Sequence, residues 1–224
     1  MKALVLDSGI LINLSMNGLL YILESLKSQF QGKILITNQV KYETVDRPIN
    51  ISRFELGALR IKNLIEKGIL EMPDSLGIDE KIINEKTKEL MDLSNHFLQA
   101  NGHWINIVSD AEMSCLALSD ELTEKGVENI IGIDERTTRI LGEKPGNLER
   151  IMSEKLHQRV SLVASNFSIF KKYKFVRSSE IVYVAYKKNL INLEGNKILE
   201  ALLFATKFKG SSISFEEINK LKKL

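Results

Sequence analysis

Several kinds of chemistry are excluded by what this chain has little of. It has one cysteine, Cys115, so there is no internal disulfide framework and no cysteine-built zinc site. Its three histidines, His96, His103 and His157, are scattered without metal-ligand spacing. Glycine-rich phosphate loops of the GxGxxG or GxxxxGK[ST] type are absent. So is a Gly-x-Ser-x-Gly nucleophile elbow, and no Cys/His pair lies near the acids at the element junctions. No apolar run approaches the roughly 18 residues that span a bilayer, so no membrane partner is expected. The N-terminal apolar run breaks at Asp7, which does not fit a secretory signal. A lone thiol suits a reducing compartment, and a cytoplasmic location is expected. There is no internal repeat and no low-complexity segment.

What remains is an ordinary globular composition, 44% hydrophobic and 27% charged. The net charge of +2 hides a division. Residues 1–149 hold 16 Lys/Arg against 23 Asp/Glu, a net of −7, while residues 150–224 hold 15 against 6, a net of +9. An acidic body with a basic later part fits a metal site beside a phosphate-binding surface.

The organising stretch is Lys2 to Asn13. A short apolar run of strand length, Ala3-Leu4-Val5-Leu6, stops at Asp7, and an apolar run of helical character follows Ser8-Gly9. Spacing then predicts a helix over 10–30 ended by Gly32, a strand over 33–37, and a short helix opened by Asn38 and broken at Pro48. This order starts a parallel wound sheet. A helix is expected over 53–67, an edge strand over 68–73, and a long helix over 78–100 with a turn at Asn101-Gly102. A further helix begins at Asp110. The strand 127–134 ends, like the first, in an aspartate. Beyond the loop of Gly142, Pro145 and Gly146, residues 147–170 read as amphipathic helix. A last strand is expected over 173–177, a helix over 178–190, and two short helices near 196–208 and 215–223. The fold class expected is a three-layer α/β/α domain with a central, mostly parallel sheet.

The carboxyl ends of parallel strands share one edge, and that edge is where ligands bind. Asp7 and Asp134 end two strands there, Glu43 lies about two turns into the helix after the second strand, and Asp110 opens a helix. Glu112 and Glu135 are close by in sequence. Carboxylates so gathered repel one another, and hard divalent cations such as Mg²⁺ or Mn²⁺ relieve that repulsion. With such ions, phosphodiester hydrolysis needs no side-chain nucleophile.

These acids occur in an order that resembles the PIN-domain family of metal-dependent ribonucleases, which includes VapC-type toxins. The carrying motifs are Asp7-Ser8-Gly9-Ile10-Leu11-Ile12, Val40-Lys41-Tyr42-Glu43, Ser109-Asp110-Ala111-Glu112 through Leu118, and Ile133-Asp134-Glu135-Arg136-Thr137-Thr138-Arg139. Ala185-Tyr186-Lys187-Lys188-Asn189-Leu190-Ile191 is similar to the family's last-helix pattern. The likeness covers residues 2–191, with 143–172 as a helical insertion and 192–224 as a C-terminal helical extension. Three positions depart from the pattern. Gly9 stands for the usual Ser or Asn, Ile133 for Thr or Ser, and Glu135 for a second Asp, which leaves open which of Asp134 and Glu135 is the ligand.

The resemblance implies an Mg²⁺- or Mn²⁺-dependent endoribonuclease, with Asp7, Glu43, Asp110 and Asp134 as catalytic metal ligands and Glu112 and Glu135 in support. It also implies homodimers, RNA as substrate and, for a toxin, an antitoxin partner. Lys171, Lys172, Lys174 and Arg177, with Lys187 and Lys188, are the cations expected to hold the RNA backbone. The rival readings are a PIN-like module that binds nucleic acid or protein with weakened catalysis, and a phosphatase or DNA nuclease using the same acids.

Overall fold

The computed structural model describes residues 1–163 and 167–223. Its centre is a four-stranded, all-parallel sheet in the order β2-β1-β5-β7, where β1 is Lys2–Leu6, β2 Gly32–Leu35, β5 Glu128–Gly132 and β7 Phe175–Val176. Lys2 pairs with Gly32 on one side and Glu128 on the other, and Leu6 lies opposite Gly132. β1 is an inner strand covered on both faces, so its apolar run is close to continuous rather than alternating. Glu71 extends the β2 edge: its N–H donates to the Ile34 carbonyl at 2.8 Å, and its carbonyl accepts from Ile36 N at 3.1 Å. Its carboxylate is held by Lys27 at 2.9 Å and by Lys33.

Helices cover both faces of the sheet, giving a three-layer α/β/α arrangement. They are α1 Ser8–Met16, α2 Tyr21–Gln29, α3 Asn38–Lys41, α4 Glu55–Glu66, α5 Glu80–Asn95, α6 Asp110–Glu124, α7 Arg136–Glu143, α8 Leu148–Leu156, α9 Ser178–Lys187, α10 Ile198–Phe208 and α11 Phe215–Leu221. α6, backed by α5, lies on β1 and β5, whereas α2 lies against β2 and joins α1, α9 and α10 in a second group. Asp7 caps α1 by accepting from Gly9 N, and Thr37 caps α3 by accepting from Val40 N. Ser109 and Glu112 form a full capping box on α6. Among the described residues, no single helix is long and apolar enough to cross a membrane.

Four expected elements differ from those observed; of the edge strand expected over 68–73, only a bridge between Glu71 and Leu35 forms, and Pro73 opens a 3-10 turn. The helix expected over 10–30 is two helices, because Gly18 adopts φ +68° and ends the first of them. The helix expected over 78–100 stops at Asn95. Residues Leu98–Ala100 (β3) form a small antiparallel sheet with His103–Trp104 (β4) and Ser161–Leu162 (β6), turning at Asn101-Gly102, both at positive φ. Among the described residues of 147–170, only α8 is α-helical. His157 terminates it in the left-handed conformation, and the chain then extends so that buried Val160 reaches the core. Phe167 and Phe170 pack on Phe97, with ring centroids 4.6 and 5.9 Å away. Residues 164–166 of that expected helix lie outside the described residues. In the 192–224 segment, Leu203, Ile213 and Ile218 form a small cluster of their own, and α10 packs on α9.

Candidate functional site

The carboxyl edge of the sheet carries two buried aspartates in unlike surroundings. Asp7 follows β1 and Asp134 follows β5, and each is only 3% exposed. The Asp7 backbone N–H donates to the Gly132 carbonyl at 2.9 Å, so the acid is carried on the last rung of the sheet. Its carboxylate accepts from Gly9 N at 3.1 Å and from the Ser8 hydroxyl at 3.5 Å. It forms no ion pair with any described residue. Burial, then the neighbouring Glu112, and more weakly Glu43, push its pKa up to about 7, against the two local hydrogen bonds. Gly9 lies between the two aspartates. A Cβ there would come 3.2 Å from Asp7 Oδ2 and 3.9 Å from Asp134 Cβ. A side chain would therefore crowd the space the two acids share, which is the physical setting of glycine at this position.

Glu112 sits in the first turn of α6 and is almost fully buried. Its carboxylate accepts from Ser109 N at 2.9 Å and from Thr138 Oγ1 at 2.8 Å. Burial, with the charge of Glu135, raises its pKa. Asp110, two residues earlier, is exposed and bonded to no described residue through its side chain. Successive helical residues turn by about 100°, so two acids two positions apart point to nearly opposite sides and only one can face Asp7. It is Glu112. Glu43 is half-buried in a single π-helical stretch, Tyr42–Asp46, where the turn after α3 widens. The structure thus brings Asp7, Glu43 and Glu112 into one electrostatic neighbourhood and leaves Asp110 outside it.

Asp134 and Glu135 are already engaged. Asp134 Oδ1 accepts from the backbone N–H and the hydroxyl of Ser178 at 2.9 and 3.0 Å, and Oδ2 accepts from Asn13 Nδ2 at 3.0 Å. Three of its roughly four acceptor directions are filled by neutral donors. Asn13 also donates to the Thr206 carbonyl at 2.9 Å, so this acid locks α1, α9 and α10 together at the end of β5. Glu135 caps α7 through Thr138 N and the Thr137 hydroxyl, and lies 3.6 Å from Lys155. Asn13 and Ser178 were not legible as partners of Asp134. The one signal is a fully buried asparagine on an apolar helix face, which must be hydrogen-bonded to something.

None of the six expected RNA-binding cations is brought to the acids in a usable form. Lys171, Lys172 and Lys174 precede β7, and the amino end of a parallel strand is the opposite edge of the sheet from Asp7. Lys172 pairs there with Asp120 at 2.8 Å and lies over the Tyr173 ring. Lys187 and Lys188 stand at the far end of α9, with Lys187 over the Tyr183 ring. Arg177 is at the right edge, but it is buried, and its guanidinium is held by Glu180 at 3.0 Å and by Glu217 at 3.0 Å.

The donor set at Asp7, Glu43 and Glu112 suits a hard divalent ion in kind, since it is all carboxylate and has no cationic partner among the described residues. Among the described residues no three of His, Cys, Asp and Glu form a ready-made cage. Mg²⁺ is typically held by one or two carboxylates plus water and substrate phosphate rather than by such a cage. Cys115, under this edge, is fully buried with its thiol toward the Leu6 carbonyl, and its pKa is raised by burial and by Asp7. It is an inert core thiol, as expected for its helix face. Neither a protein-family model, nor a curated protein, nor a solved structure matches the chain.

Proposed function

We propose that this chain is a PIN-like, Mg²⁺- or Mn²⁺-dependent endoribonuclease of the cytoplasm that hydrolyses RNA phosphodiesters at the Asp7 edge. The observation that carries the reading is a buried strand-end carboxylate, Asp7, set beside Glu112 and Glu43 with no described cation to balance it. Folded proteins keep such an arrangement only where something favourable offsets it. Asp7, Glu43 and Glu112 would hold the metal, which supplies a more acidic water and a charge to stabilise the leaving oxygen. The chain's own contribution is positioning. The β1–β5 rung fixes Asp7, the capping box and Thr138 fix Glu112, and Gly9 keeps open the space between Asp7 and Asp134. Asp134 holds the edge together through Ser178 and Asn13.

The test is cleavage of an end-labelled, single-stranded RNA by wild type and Asp7→Asn with Mn²⁺, Mg²⁺ or EDTA. Metal-dependent cutting that falls more than about a hundredfold in Asp7→Asn supports the reading, since losing even an outer partner of a metal ligand typically costs 10–100-fold. Equal cutting by both proteins sinks it. The engagement of Asp134 by neutral donors favours one alternative, a PIN-like module that binds RNA or protein without cutting. Its signature is RNA affinity indifferent to divalent metal, with no cleavage.

A further inference from the structure

Among the described residues, a groove on one side of α1 carries cations with no acidic partner. α1, the Tyr42–Asn50 turn and α4 enclose this groove of about 510 Å³. Its lining includes Arg47, Arg53 and Arg60, all exposed, and none of the three pairs with an acid among the described residues. Arg53 lies 5.4 Å over the Phe54 ring, which is itself 49% exposed. Ile12 and Met16, 42% and 60% exposed, continue the apolar floor along α1. Glu43 also lines this groove. A contiguous apolar patch rimmed by unneutralised charge marks a binding surface rather than an ordinary solvated face.

The charges and the apolar faces select the occupant together. Guanidinium groups match phosphate, and an exposed aromatic ring beside them offers a face on which a base can stack. A single-stranded RNA presents both features along one line. From this groove its backbone would run past Glu43 toward Asp7 and Glu112. We propose that the Arg47–Arg53–Arg60 groove is the track for single-stranded RNA, with Phe54 stacking a base. The proposal rests on the nuclease reading only for the direction of the strand. It replaces the lysines at the opposite edge with arginines at the edge that carries the acids.

The experiment is fluorescence anisotropy of the full chain in EDTA with fluorescein-labelled oligouridine of about twelve nucleotides, a length suited to one single-strand track. The proteins are wild type, R47Q/R53Q/R60Q, R53Q alone, Phe54→Ala and K171Q/K172Q/K174Q. All the groove positions changed are exposed, and thermal melts check that each variant folds. The triple arginine variant should bind at least tenfold more weakly, with a log–log salt slope shallower by about 2, near 0.7 for each phosphate no longer neutralised. R53Q alone should fall between the triple variant and wild type. Phe54→Ala should lose at least about fivefold. The lysine variant should bind within about twofold of wild type.

No RNA binding by wild type, a triple arginine variant that binds like wild type, or a lysine variant that loses binding instead would each overturn the groove. Labelled oligoglutamate that binds wild type more tightly than the RNA, and loses its affinity in the arginine variants, would assign the groove to an acidic polypeptide and overturn the RNA track. The cleavage assay reads separately. RNA held in the groove but never cut leaves the track standing without hydrolysis, and RNA cut equally by the arginine variants leaves hydrolysis standing without this track.

Discussion

Asp7 and Asp134 are two residues of the same type, equally buried, at the same edge of the same sheet, yet the chain treats them oppositely. Asp134 is met by three neutral donors from α1 and α9. Asp7 is met by its own next two residues and faces two further acids. A buried carboxylate satisfied by hydrogen bonds is a structural clasp, whereas one left among like charges is a candidate for a ligand from outside the chain. Burial alone therefore does not separate a structural acid from a functional one. The donors around it do.

The largest way to break the comparison is catalytic. Asp7→Asn should cut RNA more than about a hundredfold more slowly than wild type in Mn²⁺. In stability the same variant should move the other way. The folded-state pKa of about 7 lies above the ordinary carboxyl value of 3.8. Folded protein therefore keeps the proton that unfolded protein has lost, and the stability Asp7 contributes is full below pH 3.8 and declines as pH rises through 7. At about 1.4 kcal/mol per pK unit, the decline is on the order of 4 kcal/mol. In EDTA, Tm of Asp7→Asn relative to wild type should increase between about pH 4 and pH 8. A gap that stays constant would show that Asp7 does not titrate in this range.

Asp134→Ala strands the Ser178 and Asn13 donors, and should lower stability by about 3 kcal/mol, read as a fall in Tm. Mn²⁺ at about a hundred times its Kd should stabilise wild type by about 2.7 kcal/mol at pH 8. That shift should survive in Asp134→Ala and vanish in Asp7→Asn. The opposite pattern would exchange the roles of the two aspartates. The smallest effect belongs to Asp110→Asn, within about 0.5 kcal/mol of wild type in urea unfolding because the residue is exposed and unbonded. A large loss of cleavage there would return Asp110 to the site.

The wound parallel sheet could be read in advance because its strands are short apolar runs closed by capping residues, and such local signals survive folding. Asp7 was legible for the same reason, as an acid directly after a buried strand. The choice between Asp110 and Glu112 was not. Both lie in one helical turn, and only the rotation of α6 against β1 decides which faces inward. Arg177 is lost to RNA through Glu217, forty residues further along, which no local window contains. The lysines are a different case. Their place before β7 rather than after it already put them at the wrong edge, and a charge count that ignores strand direction cannot register this. The groove arginines were missed because they lie within the acidic part of the chain, where net charge concealed them.

The bond from Asn13 to the Thr206 carbonyl joins residues 193 positions apart. During synthesis, β1, α1 and the acid edge leave the ribosome long before the residue that latches them. Contacts this distant in sequence form late, after the loop between them has closed. Until residue 206 emerges, Asn13 lacks its second anchor and the edge around Asp134 is incomplete. The order of manufacture thus separates the appearance of this edge from its completion.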